Sequence, residues 1–150
     1  MVDRLLKLLE NSYVPLSKFR TSSIVVTKDG KMFEGVNVEN PSFRDGMCAE
    51  QNAIANACSN GYNKKDFAAI YVMTDGSTVS TPCFLCRQLI NELFDESSLV
   101  ICYNTKGEAQ MYKVSELPKE YPRRWQEFFR SQVACPSPRK FFLRFRLAQS

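Results

Sequence analysis

The sequence predicts an α/β fold around a mixed five-stranded sheet whose last strand is antiparallel, and three features carry that prediction. A β-branched run and a second strand-like run flank an Asp29-Gly30 turn signal near the start. Helical segments with apolar stripes then alternate with single strands, and the final two strands lie too close in sequence for a helical crossover. The chain has 150 residues, 44% of them apolar, which suits one hydrophobic core in one domain.

Residues 3 to 10 set Leu5, Leu6, Leu8 and Leu9 along a helical stripe that stops short of Val14-Pro15, since the residue before a proline is pushed out of the helical region. Ser23 to Thr27 reads as a strand, Asp29-Gly30 as a hairpin turn, and Met32 to Val38 as the returning strand. Cys48 to Cys58 is alanine-rich and helix-forming, and Ala68 to Met73 follows as a buried strand. Pro82 favours a helix start, so Cys83 to Phe94 is the next helix, with Leu85, Leu89, Ile90 and Leu93 on its buried side. Strands at Leu99 to Tyr103 and Ala109 to Val114 are joined by about five turn-like residues and must be antiparallel. Tyr121 to Phe129 has the pattern of one more helix, while Cys135 to Ser150, with Pro136 and Pro138, has no place in the core.

No apolar run approaches the roughly 20 residues of a membrane helix, and the first residues (Met1, Asp3, Arg4) lack a signal peptide's apolar stretch, so a cytoplasmic protein is expected. The net charge of +4 is unevenly placed. Residues 122–150 carry seven Lys/Arg and one Glu, or +6, which leaves −2 for residues 1–121. The body is therefore no platform for nucleic acid. The basic extension is expected to be helical at first, then disordered and functionally neutral; an arm for anionic partners is the alternative.

There are six cysteines and no histidine. The chain is larger than typical disulfide-stapled domains, so paired cysteines beside an acid read as metal ligands, and any metal chemistry must run on thiolates and carboxylates. Two clusters stand out: Cys48-Ala49-Glu50 and Pro82-Cys83-Phe84-Leu85-Cys86. Both fall at predicted helix starts, where the helix dipole favours thiolates. Three thiolates would leave zinc's fourth position open for water, the catalytic pattern, with Glu50 close enough to move a proton. The alternatives are a structural zinc site completed by Cys58 or Cys102, or three buried free thiols.

Cys-x-Glu with Pro-Cys-x-x-Cys matches the three-cysteine form of the zinc deaminase signature. Two further segments, Tyr13-Val14-Pro15-Leu16-Ser17-Lys18-Phe19 and Gly35-Val36-Asn37-Val38-Glu39-Asn40, are in the right order, and across residues 8 to 121 the chain resembles the small homotetrameric cytidine deaminases. The resemblance implies a three-layer α/β/α sandwich, a catalytic domain over residues 1–121, one zinc per chain on Cys48, Cys83 and Cys86, and Glu50 as acid and base. It further implies that Asn37 and Glu39 hold the ribose hydroxyl, that Phe19 stacks near the base, and that the Ala49 N–H meets the pyrimidine carbonyl. The implied reaction is hydrolysis at C4 of cytidine, with deoxycytidine as a second substrate, in pyrimidine salvage.

Three departures qualify that resemblance. Gln51 stands where the family has arginine, so Arg87 and the two helix N-termini are expected to offset the negative charge of three thiolates on one zinc. Phe84 and Leu85 are bulkier than the small residues usual between the paired cysteines, and Thr21-Ser22-Ser23-Ile24 opens the first strand more polar than V-G-A-A. Leu117-Pro118-Lys119-Glu120-Tyr121 is similar to the family's L-P-x-x-F, which makes Tyr121 a candidate lid reaching a neighbour's site. Three other functions stay in view. A deaminase of bases in nucleic acid is opposed by Cys48 in place of histidine, the antiparallel last strand and the body charge of −2. A deaminase of another aminated heterocycle, or a non-catalytic module stabilised by zinc, would use the same residues.

Overall fold

The structure, a computed structural model, describes residues 1–42 and 45–117. In chain order its elements are α1 (Val2–Leu9), β1 (Thr21–Thr27), β2 (Met32–Val36), α2 (Ala49–Ser59), β3 (Phe67–Thr74), α3 (Phe84–Leu93), β4 (Leu99–Asn104) and β5 (Ala109–Lys113), closed by a 3-10 turn at Val114–Glu116. The predicted helix at 121–129, Tyr121 and the extension 122–150 lie outside the described residues.

The five strands make one sheet in the order β2-β1-β3-β4-β5. β1 runs antiparallel to both β2 (Ile24 opposite Glu34) and β3 (Ile24 opposite Tyr71). β3 and β4 are parallel, with Ile70 beside Val100, and β5 returns antiparallel, with Cys102 beside Gln110. The mixed sheet and its antiparallel last strand are those the sequence predicts. Gly30 turns the first hairpin at φ +86°, a left-handed conformation that glycine adopts without strain.

Strand alternation sends side chains to both faces of the sheet, and helices cover both. On one face Leu5 and Leu9 of α1 pack on Ile24 and Met73. On the other, Ala53, Ile54 and Ala57 of α2 and Ile90 of α3 pack on Val25, Ile70, Val72 and Val100, while Phe94 stacks on Phe67 at 4.8 Å. These are the three layers of an α/β/α sandwich. Among the described residues no helix is long and apolar enough to cross a membrane.

Two details differ from the sequence reading. β1 begins at Thr21, two residues early, because its buried hydroxyls are satisfied: Ser22 Oγ donates to Leu5 O at 2.9 Å and Ser23 Oγ to Tyr71 O at 3.0 Å. Leu85, expected on the buried side of α3, is 60% exposed. The buried seam runs through Cys86, Ile90 and Phe94 at i, i+4 and i+8, and Leu85 falls in the first turn beyond the core.

α2 is fixed over the edge of the sheet by a close approach. A Cβ on Gly35 would run into the backbone of Ala49, Asn52 and Ala53, while Asn52 Nδ2 donates to Val36 O at 2.7 Å and Asn56 Nδ2 to Glu34 O at 3.2 Å. The obstructing atoms are backbone, so no side chain can swing aside. Gly35→Ala should therefore lift α2 off β2 and cost about 2–3 kcal/mol in urea denaturation, and it should shift Cys48 and Glu50, which stand at the start of that helix.

Candidate active site

The N-termini of α2 and α3 meet beside the end of β3, and this places the two cysteine clusters together. Cys48 is the N-cap of α2 and Cys83 the N-cap of α3, while Cys86 lies in the first turn of α3 and is fully buried. Their three Sγ atoms lie within 4.8 Å of one another, with Cys48 and Cys83 at 3.7 Å. Tetrahedral zinc with Zn–S bonds of about 2.3 Å needs sulfurs about 3.8 Å apart, so the trio fits the ion. Among the described residues these three alone bring ligand atoms together for a metal. Cys58 is exposed on α2 and Cys102 belongs to the β4 core, so neither supplies the fourth ligand of a structural site. Cys83 is exposed and Cys48 half-buried, which does not fit three inert core thiols.

The electrostatics of the trio invite a cation. Hydrogen bonds from Cys48 and then Cys86, joined by the N–H groups of Cys86 and Leu85, lower Cys83 to about 2. The same bond holds Cys48 up at about 12, and its bonds to Cys48 and Cys83 push Cys86 up as well. One sulfur thus ionises readily and further ionisation is opposed by the charge already there. A divalent metal reverses that opposition and draws off the remaining protons.

Glu50 lies one residue beyond Ala49 in the first turn of α2 and is 4% exposed. Burial, the larger effect, and the neighbouring Cys83 charge raise its carboxyl to about 7, where both protonation states are accessible at neutral pH. Ala49, also buried, is the first residue of α2, whose opening N–H groups have no acceptor within the helix. Gln51 closes the start of α2. Its Oε1 accepts the Cys48 N–H at 3.2 Å while its own N–H faces the Cys48 sulfur, a reciprocal capping box that an arginine could not close. Arg87, half-buried, follows Cys86 directly and its N–H bonds Cys83 O at 2.9 Å.

A cleft of about 610 Å³ is lined by Cys48, Cys83 and Glu50 together with Phe19, Asn37 and Glu39. That size suits a small-molecule ligand. Phe19 is aimed by its surroundings. Lys18 adopts the left-handed region at φ 60°, Gly76 leaves the ring room that a Cβ at 3.1 Å would take, and Asp75 Oδ1 accepts the Arg20 N–H at 2.9 Å. Asn37 ties the same segment, donating from Nδ2 to Phe19 O at 2.9 Å and accepting the Thr21 N–H at 2.8 Å. Glu39 accepts the N–H groups of Leu16 at 2.8 Å and Ser17 at 3.1 Å, and these bonds, led by the Ser17 hydroxyl, hold its carboxyl below the usual range. Asn37 and Glu39 therefore shape the wall that carries Phe19 as well as lining the cleft. Tyr121 lies outside the described residues.

The cleft also includes Thr21, Val72, Thr74, Ser80 and Thr81, which sequence reasoning missed. A signal existed for Thr74: it continues the inward alternation of Ile70 and Val72 with a polar side chain at a strand end.

Comparison with known proteins gives a consistent family. Residues 1–102 match the cytidine and deoxycytidylate deaminase zinc-binding region. The cytidine deaminase of Halalkalibacterium halodurans is 35% identical over 117 residues, covering 78% of this chain and 87% of that protein. The cytidine deaminase of Sporosarcina psychrophila is 35% identical over 111 residues, covering 74% of this chain and 80% of that protein. The crystal structure of cytidine deaminase from Burkholderia pseudomallei superposes with a TM-score of 0.76 at 33% identity, covering 81% of this chain and 95% of that one.

Proposed function

Because the chain belongs to the cytidine and deoxycytidylate deaminase zinc-binding family, and is thereby a zinc-dependent hydrolytic deaminase of cytidine, we propose that Cys48, Cys83 and Cys86 hold the metal, that Glu50 moves the proton, and that deoxycytidine is a second substrate. The observation that supports this most is the juxtaposition of three sulfurs within 4.8 Å and a buried carboxyl that lines the same cleft.

Zinc, when bound, supplies Lewis acidity that makes the attacking water easier to deprotonate. Glu50 takes that proton and delivers it to N3 of the pyrimidine as the oxygen joins C4. It then takes the remaining proton from the C4 hydroxyl and passes it to the exocyclic nitrogen, the C4–N bond breaks as the C4 carbonyl forms, and ammonia and uridine leave. Phe19 gives the base an aromatic face, the Ala49 N–H meets the pyrimidine carbonyl, and Asn37 and Glu39 turn toward the ribose hydroxyl. A carboxylate offers about four lone-pair directions, so Glu39 can accept a sugar hydroxyl while holding Leu16 and Ser17.

Residues 1–121 form the catalytic unit and 122–150 a basic, functionally neutral extension. The body charge of −2 gives phosphates no attraction, which favours free nucleoside over nucleic acid. A cytoplasmic setting keeps the thiols reduced for zinc. A homotetramer would cover the exposed Tyr13, Leu16, Val38 and Met47 beside the cleft and bring Tyr121 to a neighbour's site as its lid. The test is an ultraviolet assay of cytidine and deoxycytidine with the full chain and with a chain ending at Cys135. Both nucleosides are expected to turn over at equal rates in the two proteins. Absence of turnover overturns the function, and loss confined to the shortened chain overturns the neutral extension.

A further inference from the structure

Thr74 ends β3 on the sheet face that carries α2, paired with Thr21 on one side and Asn104 on the other. It lines the cleft beside Val72 and Glu50, it is 3% exposed, and its Oγ1 has no hydrogen-bond partner among the described residues. The contrast with its surroundings is sharp. Ser22 and Ser23 on β1 and Asn104 on β4 are equally buried, and each places its side-chain polar atoms on a backbone acceptor or donor. A buried hydroxyl left without a partner is costly, and β3 is otherwise apolar along this face, so valine would serve the fold better at this position.

We propose that Thr74 is a binding and specificity residue whose hydroxyl hydrogen-bonds the polar edge of an aminated pyrimidine held in the cleft. This rests on the nucleoside reading above. The base, rather than the sugar, is the partner, because the reacting carbon must reach Cys48, Cys83 and Glu50, and Thr74 and Val72 line the cleft with them. Asn37 and Glu39 sit with Leu16 and Ser17 on the wall segment that leads to the mouth. Phe19, whose ring lies beside Gly76 two residues past Thr74, gives the same cleft an aromatic face.

The experiment compares wild type, Thr74→Val and Thr74→Ser by cytidine and deoxycytidine turnover, uridine inhibition and thermal unfolding. Valine keeps the shape and removes the hydroxyl. The KM for both nucleosides and the Ki for uridine should rise about tenfold, the weight of one hydrogen bond lost in a dry site, with kcat changed far less. The ligand-free Thr74→Val protein should melt about 2–4 °C higher, since an unpaired buried hydroxyl is gone. Thr74→Ser should restore KM and Ki. Unchanged KM and Ki in Thr74→Val, a loss confined to cytidine, or a lower melting temperature would each overturn the proposal. A wild type that neither turns over cytidine nor binds uridine would instead refute the nucleoside reading, so the two failures are distinguishable.

Discussion

Glu50→Gln should lower kcat for cytidine by about 10²–10⁴-fold, the range that general acid–base catalysis supplies, while the protein keeps its zinc and its fold. Glutamine has the shape of the carboxylate and fills the same buried space in the first turn of α2, so the helix and Cys48 beside it need not move. It can accept or donate a hydrogen bond, yet it cannot take a proton from water and pass it on. The variant also removes a charge whose burial is unfavourable, so its melting temperature should match or exceed that of wild type. Stopped-time ultraviolet assays with metal analysis on the same preparations check this. A variant retaining more than about a tenth of wild-type kcat would show that another group moves the proton.

Cys86→Ser should abolish turnover through loss of the metal. Even residues that only support a metal ligand cost about 10–100-fold in affinity when changed, so removal of a sulfur from a three-ligand site should cost more. Cys86 is the fully buried member of the trio, and its loss leaves Cys48 and Cys83 as an incomplete pair. Chelation supplies the second readout. A metal that binds the folded state alone adds about 4 kcal/mol at 1,000 times its dissociation constant, so a chelator should lower the wild-type melting temperature by several degrees. The melting temperature of Cys86→Ser should not respond to the chelator. Wild-type unfolding indifferent to chelation would mean that the sulfurs hold no structural share of the ion.

The order of elements was legible because each has a local cause. Leu5 and Leu9 repeat at helical spacing and both are buried; Asp29-Gly30 turns the hairpin; too few residues separate β4 from β5 for anything but a tight return. The meeting of the three cysteines was legible for a related reason, since each thiol stands at or in the first turn of a helix whose start the sequence marks. The residues that failed depend on partners distant in sequence. Leu85 looks like a core leucine until the seam of α3 is set by Cys86 and Ile90 against the sheet. Ser22 and Ser23 look too polar for a central strand until Leu5 and Tyr71 supply their acceptors. Gln51 reads as a missing arginine until its amide is seen closing the cap on Cys48, and Thr74 reads as an ordinary strand end until the cleft is formed over it. Local pattern specifies elements; the cleft is specified by which elements meet.

X-ray absorption at the zinc edge addresses the centre of the account most directly, because it counts ligands without reference to activity. Three sulfurs at about 2.3 Å and one oxygen or nitrogen near 2.0–2.1 Å are expected in the resting protein, with the sulfur count falling to two in Cys86→Ser wherever metal is retained. Four sulfurs around the ion in wild type would contradict it, since that leaves no position for water and makes the site a structural one.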